Sequence, residues 1–257
     1  MPTESKTQYT GLNYTWLVRQ YCVLMSQFFL QVVCYYICMN IALYGSGEFT
    51  ESVTEIDRFL IKRYGLTSVA IIPTAAGKER DFHKWIDLGV SHYEGMGISV
   101  ISVPIIDNQD ANNDQLVQLL DKSDWIFFSG GDPKYLLDTI KSSKLWDMVT
   151  QRANAGALIT GSSAGAMVMG KFILTNPLKA LMTPTPASWE AAFGLVQFTV
   201  IPHFDKIKRV KKMITRIIGK SPDGVQKSWV GIEENTALII DDKDRIVKGL
   251  GTVEFGA

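Results

Sequence analysis

Cysteine is confined to the start of this 257-residue chain, where Cys22, Cys34 and Cys38 are its three cysteines. The rest of the chain therefore has no thiol for a nucleophile, a disulfide or a zinc site. An intracellular, cytoplasmic protein without a disulfide scaffold is the expected class. We expect neither a metal nor a cofactor.

The chain also lacks an excess of charge of either sign, with 26 basic and 26 acidic side chains. No overall field attracts nucleic acid, and we expect no nucleic-acid partner. The local basic run Lys206–Lys212 is typical of a solvated helix face. A G-x-x-x-x-G-K sequence is absent as well, which disfavours a nucleotide triphosphate-binding loop.

Charged residues are missing between Gln20 and Gly47, and residues 21–39 form a mostly apolar run. The run is long enough to cross a bilayer as a helix, although three polar residues dilute it. It passes without a linker into Ile41–Tyr44, which has the composition of a buried strand. We therefore expect a functional domain at 39–257 and an upstream extension at 1–38, with a membrane anchor through residues 21–39 as the alternative.

From Met39 onward, short apolar β-branched runs alternate with amphipathic stretches, as in a parallel sheet with helices on both faces. The predicted strands are 41–44, 68–73, 98–104, 125–129, 157–160 and 196–201, and the predicted helices are 51–64, 81–96, 113–121, 134–154 and 205–219. Three shorter strands at 229–233, 236–240 and 245–250 predict an antiparallel meander at the sheet edge. The predicted fold is α/β, with a mostly parallel sheet and short antiparallel strands at the C-terminus.

A G-x-S-x-G sequence, Gly161 to Gly165, follows the predicted strand 157–160 and precedes an apolar segment that can form a helix. This strand, turn and helix are the context of a nucleophile elbow, in which small residues allow a tight bend around an exposed serine hydroxyl. The register makes Ser163, rather than Ser162, the candidate nucleophile. A glycine-rich turn without catalytic function is the alternative.

A serine nucleophile needs a base, and the chain has three histidines. His83 and His92 lie among charged and polar residues of a predicted helix, where we expect a surface position. His203 ends the apolar strand 196–201, 40 residues after Ser163, where it can reach a serine on the neighbouring elbow. His203 is therefore the candidate base, and a helix-capping histidine is the alternative.

Five segments together resemble peptidase family S51, which includes dipeptidase E and cyanophycinase. They are Ile41–Glu48, Ser129–Pro133, Gly161–Ala166, Pro202–Asp205 and Gly231–Ala237. The resemblance implies a class I glutamine amidotransferase-like fold, a flavodoxin-like three-layer sandwich in which serine replaces the usual cysteine. It also implies an oxyanion hole formed by the backbone of Gly130 and Gly131 with the N–H of Ala164.

The third member of a triad is where the sequence departs from these relatives. They carry an acid some fifteen to eighteen residues beyond the serine, a stretch that contains Asn176 and no acid here. Glu190 is the single carboxylate between Ser163 and His203, and it is our first candidate for orienting the imidazole. Asp205 is the second candidate, and Asn176 the third, as in Cys-His-Asn enzymes.

The resemblance implies a serine-type hydrolase that acts on small peptides, with a preference for Asp-linked bonds in its two best-known branches. An acidic substrate side chain would need a cation, for which Lys206, Lys208 and Arg209 are candidates. Two alternatives stay open: an α/β-hydrolase esterase, which shares G-x-S-x-G, and a binding or regulatory protein that keeps the fold without activity.

Overall fold

The computed structural model describes residues 39–175, 188–208, 228–241 and 244–256. The predicted extension 1–38 lies outside these ranges, so its separation from the domain at Met39 stays a prediction. None of the helices in the described ranges combines the length and the apolar character needed to cross a membrane. Met39 itself belongs to the buried core.

Twelve strands lie in the described part of the chain. They are β1 (Asn40–Tyr44), β2 (Ser68–Ile72), β3 (Ser99–Ser102), β4 (Trp125–Phe128), β5 (Leu158–Ser162), β6 (Phe172–Leu174), β7 (Trp189–Ala191), β8 (Thr199–Ile201), β9 (Trp229–Ile232), β10 (Thr236–Ile240), β11 (Arg245–Gly249) and β12 (Val253–Gly256). β-Branched and aromatic residues dominate the central strands, as expected for strands packed on both faces.

The main sheet has the strand order β11-β10-β1-β5-β4-β2-β3. Strands β1 to β5 run parallel, whereas β10 and β11 are antiparallel to their neighbours. A smaller sheet has the order β12-β9-β8, and β6 pairs with β7 as a hairpin. The mostly parallel α/β fold with short antiparallel strands near the C-terminus is confirmed.

Eight α-helices connect or flank these strands in the described residues. They are α1 (Thr54–Tyr64), α2 (His83–Glu94), α3 (Asn108–Ala111), α4 (Asp114–Val117), α5 (Pro133–Ile140), α6 (Lys144–Asn154), α7 (Ala164–Met169) and α8 (Phe204–Lys208). Short 3₁₀ turns lie at 51–53, 74–76 and 118–122. Asp132 begins α5 by accepting hydrogen bonds from the N–H groups of Lys134 and Tyr135, with Pro133 in the first helical position.

Two hydrophobic cores cover the two faces of the main sheet. Alternate residues of one strand enter different cores: Ile41 and Leu43 of β1 pack on one side, and Ala42 and Tyr44 on the other. Strands β2, β4 and β5 alternate in the same way. This double burial explains why the sequence reads as continuous apolar runs rather than as an alternation with polar residues.

The structure corrects three details of the sequence prediction. The single helix predicted at 134–154 is two helices, because the chain turns at Ser142, which has a φ of 59°, and Ser143 caps the second helix. The C-terminal strands do not form one meander, since β9 joins β8 and β12 while β10 inserts between β1 and β11. The hairpin of β6 and β7 was not predicted.

A buried polar cluster joins the end of β1 to helices α1 and α2. The hydroxyl of Tyr44 donates to Asp57 Oδ1 over 2.5 Å, and His92 Nε2 lies 2.6 Å from Asp57 Oδ2. Burial raises the pKa of the Asp57 carboxyl, against the hydrogen bonds from His92 and Tyr44 that act to lower it. The prediction that His92 is a surface residue is therefore wrong, whereas His83 is exposed.

Tyr44→Phe tests how much this cluster contributes to the stability of the fold, because it leaves the buried carboxyl group of Asp57 with one donor fewer. We expect a loss of about 1.5–3 kcal/mol in the free energy of unfolding, measured by denaturant titration. Tyr135→Phe is the matched control, since Tyr135 donates to the neutral carbonyl of Ile106 in a partly buried position. Equal losses in the two variants would show that burial of the Asp57 carboxyl adds nothing to the strength of the hydrogen bond.

Candidate active site

Ser163 occupies a sharp turn between β5 and α7. Its backbone has a φ of 49° and a ψ of −108°, a conformation that costs a non-glycine residue energy and is typical of functional sites. Its N–H donates to the carbonyl oxygen of Tyr44 at the end of β1, over 3.1 Å. The turn therefore places the half-buried Ser163 at the carboxyl edge of the parallel strands.

The glycines on either side of Ser163 are required by close backbone packing. A Cβ on Gly161 would lie 2.3 Å from the backbone carbon of Gly165. A Cβ on Gly165 would lie 2.4 Å from the carbonyl oxygen of Phe128 in β4. The strand, tight turn and helix predicted from G-x-S-x-G are therefore present.

His203 meets Ser163 from the loop between β8 and α8. Its Nε2 atom lies 2.9 Å from Ser163 Oγ, which is hydrogen-bond distance. The backbone of His203 also has a positive φ, 52°, and its N–H donates to the carbonyl oxygen of Gly45. The structure thus brings together the two side chains that the sequence predicted as partners.

The second nitrogen of the imidazole contacts Glu234, in the turn between β9 and β10. His203 Nδ1 lies 2.7 Å from Glu234 Oε1. Burial acts to raise the pKa of this carboxyl, but hydrogen bonds from Lys206 and His203 outweigh it and lower the pKa of Glu234. Glu234 is therefore an ionised carboxylate at neutral pH.

An ionised carboxylate can only accept a hydrogen bond, so the proton of a neutral His203 lies on Nδ1. The lone pair of Nε2 then faces the hydroxyl of Ser163 and can accept its proton. When His203 becomes an imidazolium, the carboxylate of Glu234 stabilises the positive charge. This arrangement of hydroxyl, imidazole and carboxylate can activate a serine nucleophile.

The first candidate for the acid, Glu190, does not reach the imidazole. It lies on β7, and its Oε2 atom is 3.1 Å from Lys134 Nζ on α5. The hairpin of β6 and β7 pairs Glu190 with Ile173 and directs its carboxylate toward α5. The sequence prediction of Glu190 as the partner of His203 is thus corrected to Glu234.

Asp205 and Asn176 are the second and third sequence candidates for the partner of His203. Asp205 accepts a hydrogen bond from the backbone N–H of Glu234 over 3.0 Å, so it supports the turn that carries the acid and does not contact the imidazole. Asn176 lies outside the described residues. The sequence signal that points to Glu234 is its place in Gly231–Ala237, directly before a buried strand.

The loop Ser129–Asp132 follows β4 and lies beside the Ser163 turn. Its first N–H donates to the carbonyl oxygen of Ile72, and its last donates to that of Ala75. The N–H of Gly130 donates to Glu48 Oε1 over 2.9 Å. Gly130 therefore does not offer its N–H to a substrate in this structure, contrary to the sequence expectation.

Two N–H groups near Ser163 stay available. That of Gly131 has no acceptor among the described residues, and that of Ala164 is the first donor of α7, where helices leave N–H groups unpaired. Gly131 has a φ of 142°, and a Cβ there would lie 2.4 Å from the carbonyl oxygen of Ala75. Glycine is required at this position for both reasons.

Glu48 is a site residue that sequence reasoning missed. Its exposed fraction is 8%, and besides Gly130 it accepts a hydrogen bond from Ser162 Oγ over 2.5 Å. The burial of Ser162 and the contact of Ser163 with His203 agree with the predicted register of the motif. A glutamate in a glycine-rich loop directly after a buried strand was the available signal.

Two of the three cations expected to bind an acidic substrate, Lys206 and Lys208, are already paired. Lys206 Nζ lies 2.5 Å from Glu234 Oε1, and Lys208 pairs with Glu233. Arg209 lies outside the described residues. No group of three His, Cys, Asp or Glu side chains in the described ranges is arranged to hold a metal ion.

Known proteins resemble this chain over nearly all of the described domain. It is 25% identical over 209 residues to an uncharacterized peptidase of Listeria innocua, covering 80% of this chain and 95% of that protein. It is 26% identical over 191 residues to a cyanophycinase of Geminocystis herdmanii, covering 72% of this chain and 67% of that protein.

Comparison of folds gives the same result. The crystal structure of a peptidase from an acI-B1 actinobacterium matches with a TM-score of 0.72 and 29% identity, covering 85% of this chain and 90% of the other. The sequence model of peptidase family S51 matches residues 41–248, which include Ser163, His203 and Glu234. The chain therefore belongs to peptidase family S51 and is a hydrolase of the peptidase class.

Proposed function

We propose that this chain is a serine peptidase in which Ser163 is the nucleophile, His203 the general base and Glu234 the acid that orients the imidazole. The observation that carries the proposal is the pair of hydrogen bonds that joins the Ser163 hydroxyl through the imidazole to Glu234. Triads are recognised by such geometry and roles rather than by their order along the chain.

The reaction follows from these contacts. As Ser163 Oγ attacks the peptide carbonyl carbon, its proton passes to His203 Nε2 and the carbonyl oxygen becomes an oxyanion. The tetrahedral intermediate then breaks its C–N bond, and His203 returns the proton to the leaving amine. Water, deprotonated by His203, attacks the acyl-enzyme, and the acid product leaves as Ser163 recovers its proton.

The oxyanion needs donors that are in place before it forms. The free N–H groups of Gly131 and Ala164 support a hole formed by these two residues, on either side of the Ser163 turn. This assignment replaces the expected use of Gly130, whose N–H donates to Glu48.

Small peptides are the proposed substrates. A preference for Asp-linked bonds rests on the family resemblance, because Lys206 and Lys208 are both paired with glutamates. A panel of dipeptides and β-aspartyl peptides tests it, with the rate of release of the new amine as the measurement. Membership in family S51 weighs against the α/β-hydrolase esterase alternative, and the hydrogen-bond chain from Ser163 to Glu234 favours an enzyme over a binding protein.

A fluorophosphonate probe tests the nucleophile. We expect it to label the wild-type chain and, more slowly, Ser162→Ala, but not Ser163→Ala, because Ser163 alone of the two contacts the base, whereas Ser162 donates to the buried Glu48. Far-UV circular dichroism of the unlabelled variant is expected to match wild type. Labelling of Ser163→Ala, or no labelling of the wild type, would contradict the proposal.

Substitution of Glu234 tests the acid. Glu234→Gln is expected to lower kcat on the best dipeptide about 10²–10⁴-fold with little change in KM, since the imidazolium loses its counter-charge. Glu190→Gln is the matched control, because its carboxylate contacts Lys134 instead, and it should keep kcat within about twofold. A large loss in Glu190→Gln with none in Glu234→Gln would reverse the assignment.

Lys206 affects the pH at which Glu234 loses its charge. The lysine lowers the pKa of Glu234, so Lys206→Met raises it, and the carboxylate takes up a proton at higher pH. We expect the pH titration profile of the Glu234 carboxyl carbon, followed by NMR, to move to higher pH, and only slightly because Lys206 is exposed and water screens its charge. Lys208→Met, which removes the partner of Glu233, should leave the profile unchanged; a shift in the opposite direction for Lys206→Met would refute the argument.

A further inference from the structure

We infer that Glu48 is a positioning residue that holds the oxyanion loop Ser129–Asp132 against the nucleophile turn, so that the N–H of Gly131 is the loop's donor to the oxyanion. The inference rests on the proposed function. Its starting observation is that one buried carboxylate accepts hydrogen bonds from both segments that border the reacting carbonyl.

Most N–H groups of the oxyanion loop already have an acceptor. Of the four consecutive N–H groups of the loop, the first and last donate to backbone carbonyls, and that of Gly130 donates to Glu48. Gly131 is thus the loop residue whose N–H has no acceptor among the described residues. Because the other three N–H groups of the loop are held, the direction of the Gly131 N–H is set before substrate arrives.

Glu48 differs in kind from the other two acceptors of the loop. Two of the three acceptors are backbone carbonyls, which any sequence supplies, whereas the third is the buried side chain of Glu48. A buried carboxylate needs donors for its oxygens, and each Glu48 oxygen has one: Gly130 N–H for Oε1 and Ser162 Oγ for Oε2. The cost of leaving either buried oxygen without a donor therefore favours the observed geometry of both donors.

Gly130 lies close to both Glu48 and Ser163. A Cβ added to Gly130 would lie 2.8 Å from Glu48 Oε1 and 3.5 Å from Ser163 Cβ. Glu48, Gly130 and Ser163 are thus packed without a gap. A shift of the Glu48 carboxylate moves the loop relative to the nucleophile, and the loss of well-placed oxyanion donors reduces acyl-transfer rates strongly.

Two conservative variants of the full chain separate geometry from charge. Glu48→Gln keeps the length of the side chain, so its amide oxygen accepts from Gly130 and its NH₂ group donates to Ser162 Oγ. Glu48→Asp keeps the charge but is one methylene shorter and cannot reach both donors. The readout is the saturation kinetics of fluorophosphonate labelling, which give the maximal rate and the half-saturating concentration separately.

We expect Glu48→Asp to lower the maximal labelling rate about 10–100-fold with the half-saturating concentration unchanged within about twofold, while Glu48→Gln stays within about threefold of wild type. Glu233→Asp is the control, because Glu233 has the same exposed fraction of 8% but contacts Lys208 and the N–H of Thr252. It should label at the wild-type rate. Thermal unfolding of each variant identifies any that fail to fold.

The inference is overturned if folded Glu48→Asp labels like wild type, if Glu48→Gln is as slow as Glu48→Asp, or if only the half-saturating concentration changes. If Glu48→Asp does not fold, Glu48→Gln decides on its own: a rate reduced tenfold or more overturns the inference, and a rate near wild type supports it. Absence of any Ser163-dependent labelling in the wild type would instead refute the proposed function.

Discussion

The segment Tyr44–Glu48, at the carboxyl end of β1, is the support on which the site is built. Backbone carbonyls of Tyr44, Gly45 and Ser46 accept hydrogen bonds from Ser163, His203 and Asn235, respectively, and Glu48 binds the oxyanion loop. Four loops that are far apart in the sequence are therefore held by one short stretch of chain. Because three of the four bonds use backbone oxygens, most of this support depends on the path of the chain rather than on side-chain identity.

Two glycines allow this segment to lie so close to its neighbours. A Cβ on Gly45 would lie 2.1 Å from the carbonyl oxygen of Glu233, and one on Gly47, with a φ of 92°, would lie 2.2 Å from Asn235 Oδ1. The same segment is also held at its first residue, Tyr44, whose hydroxyl donates to the buried carboxyl group of Asp57. The strained backbones of Ser163 and His203 persist because this surrounding structure determines them.

Local patterns predicted the parts of the site that depend on neighbouring residues. The glycines around Ser163, the apolar strand before the elbow and the apolar helical segment after it are visible in the sequence, and so is the strand that leads to His203. The acid is different, because Glu234 reaches His203 only through the insertion of β10 between β1 and β11, which no local pattern encodes.

The surface position predicted for His92 failed for the same reason, since its partner Asp57 lies on another helix. Glu190 was favoured by its position between Ser163 and His203, and the hairpin that turns it toward Lys134 is equally non-local.

The insertion of β10 has a consequence for the order in which the protein is made. Translation completes Ser163 and His203 before it reaches Glu234, and the strand that carries the acid into the sheet follows immediately after it. A nascent chain that ends before Glu234 has the proposed nucleophile and base but lacks the carboxylate proposed to stabilise the imidazolium. The proposed triad is therefore complete only when a segment translated after Ser163 and His203 has docked beside β1, which couples activity to completion of the main sheet.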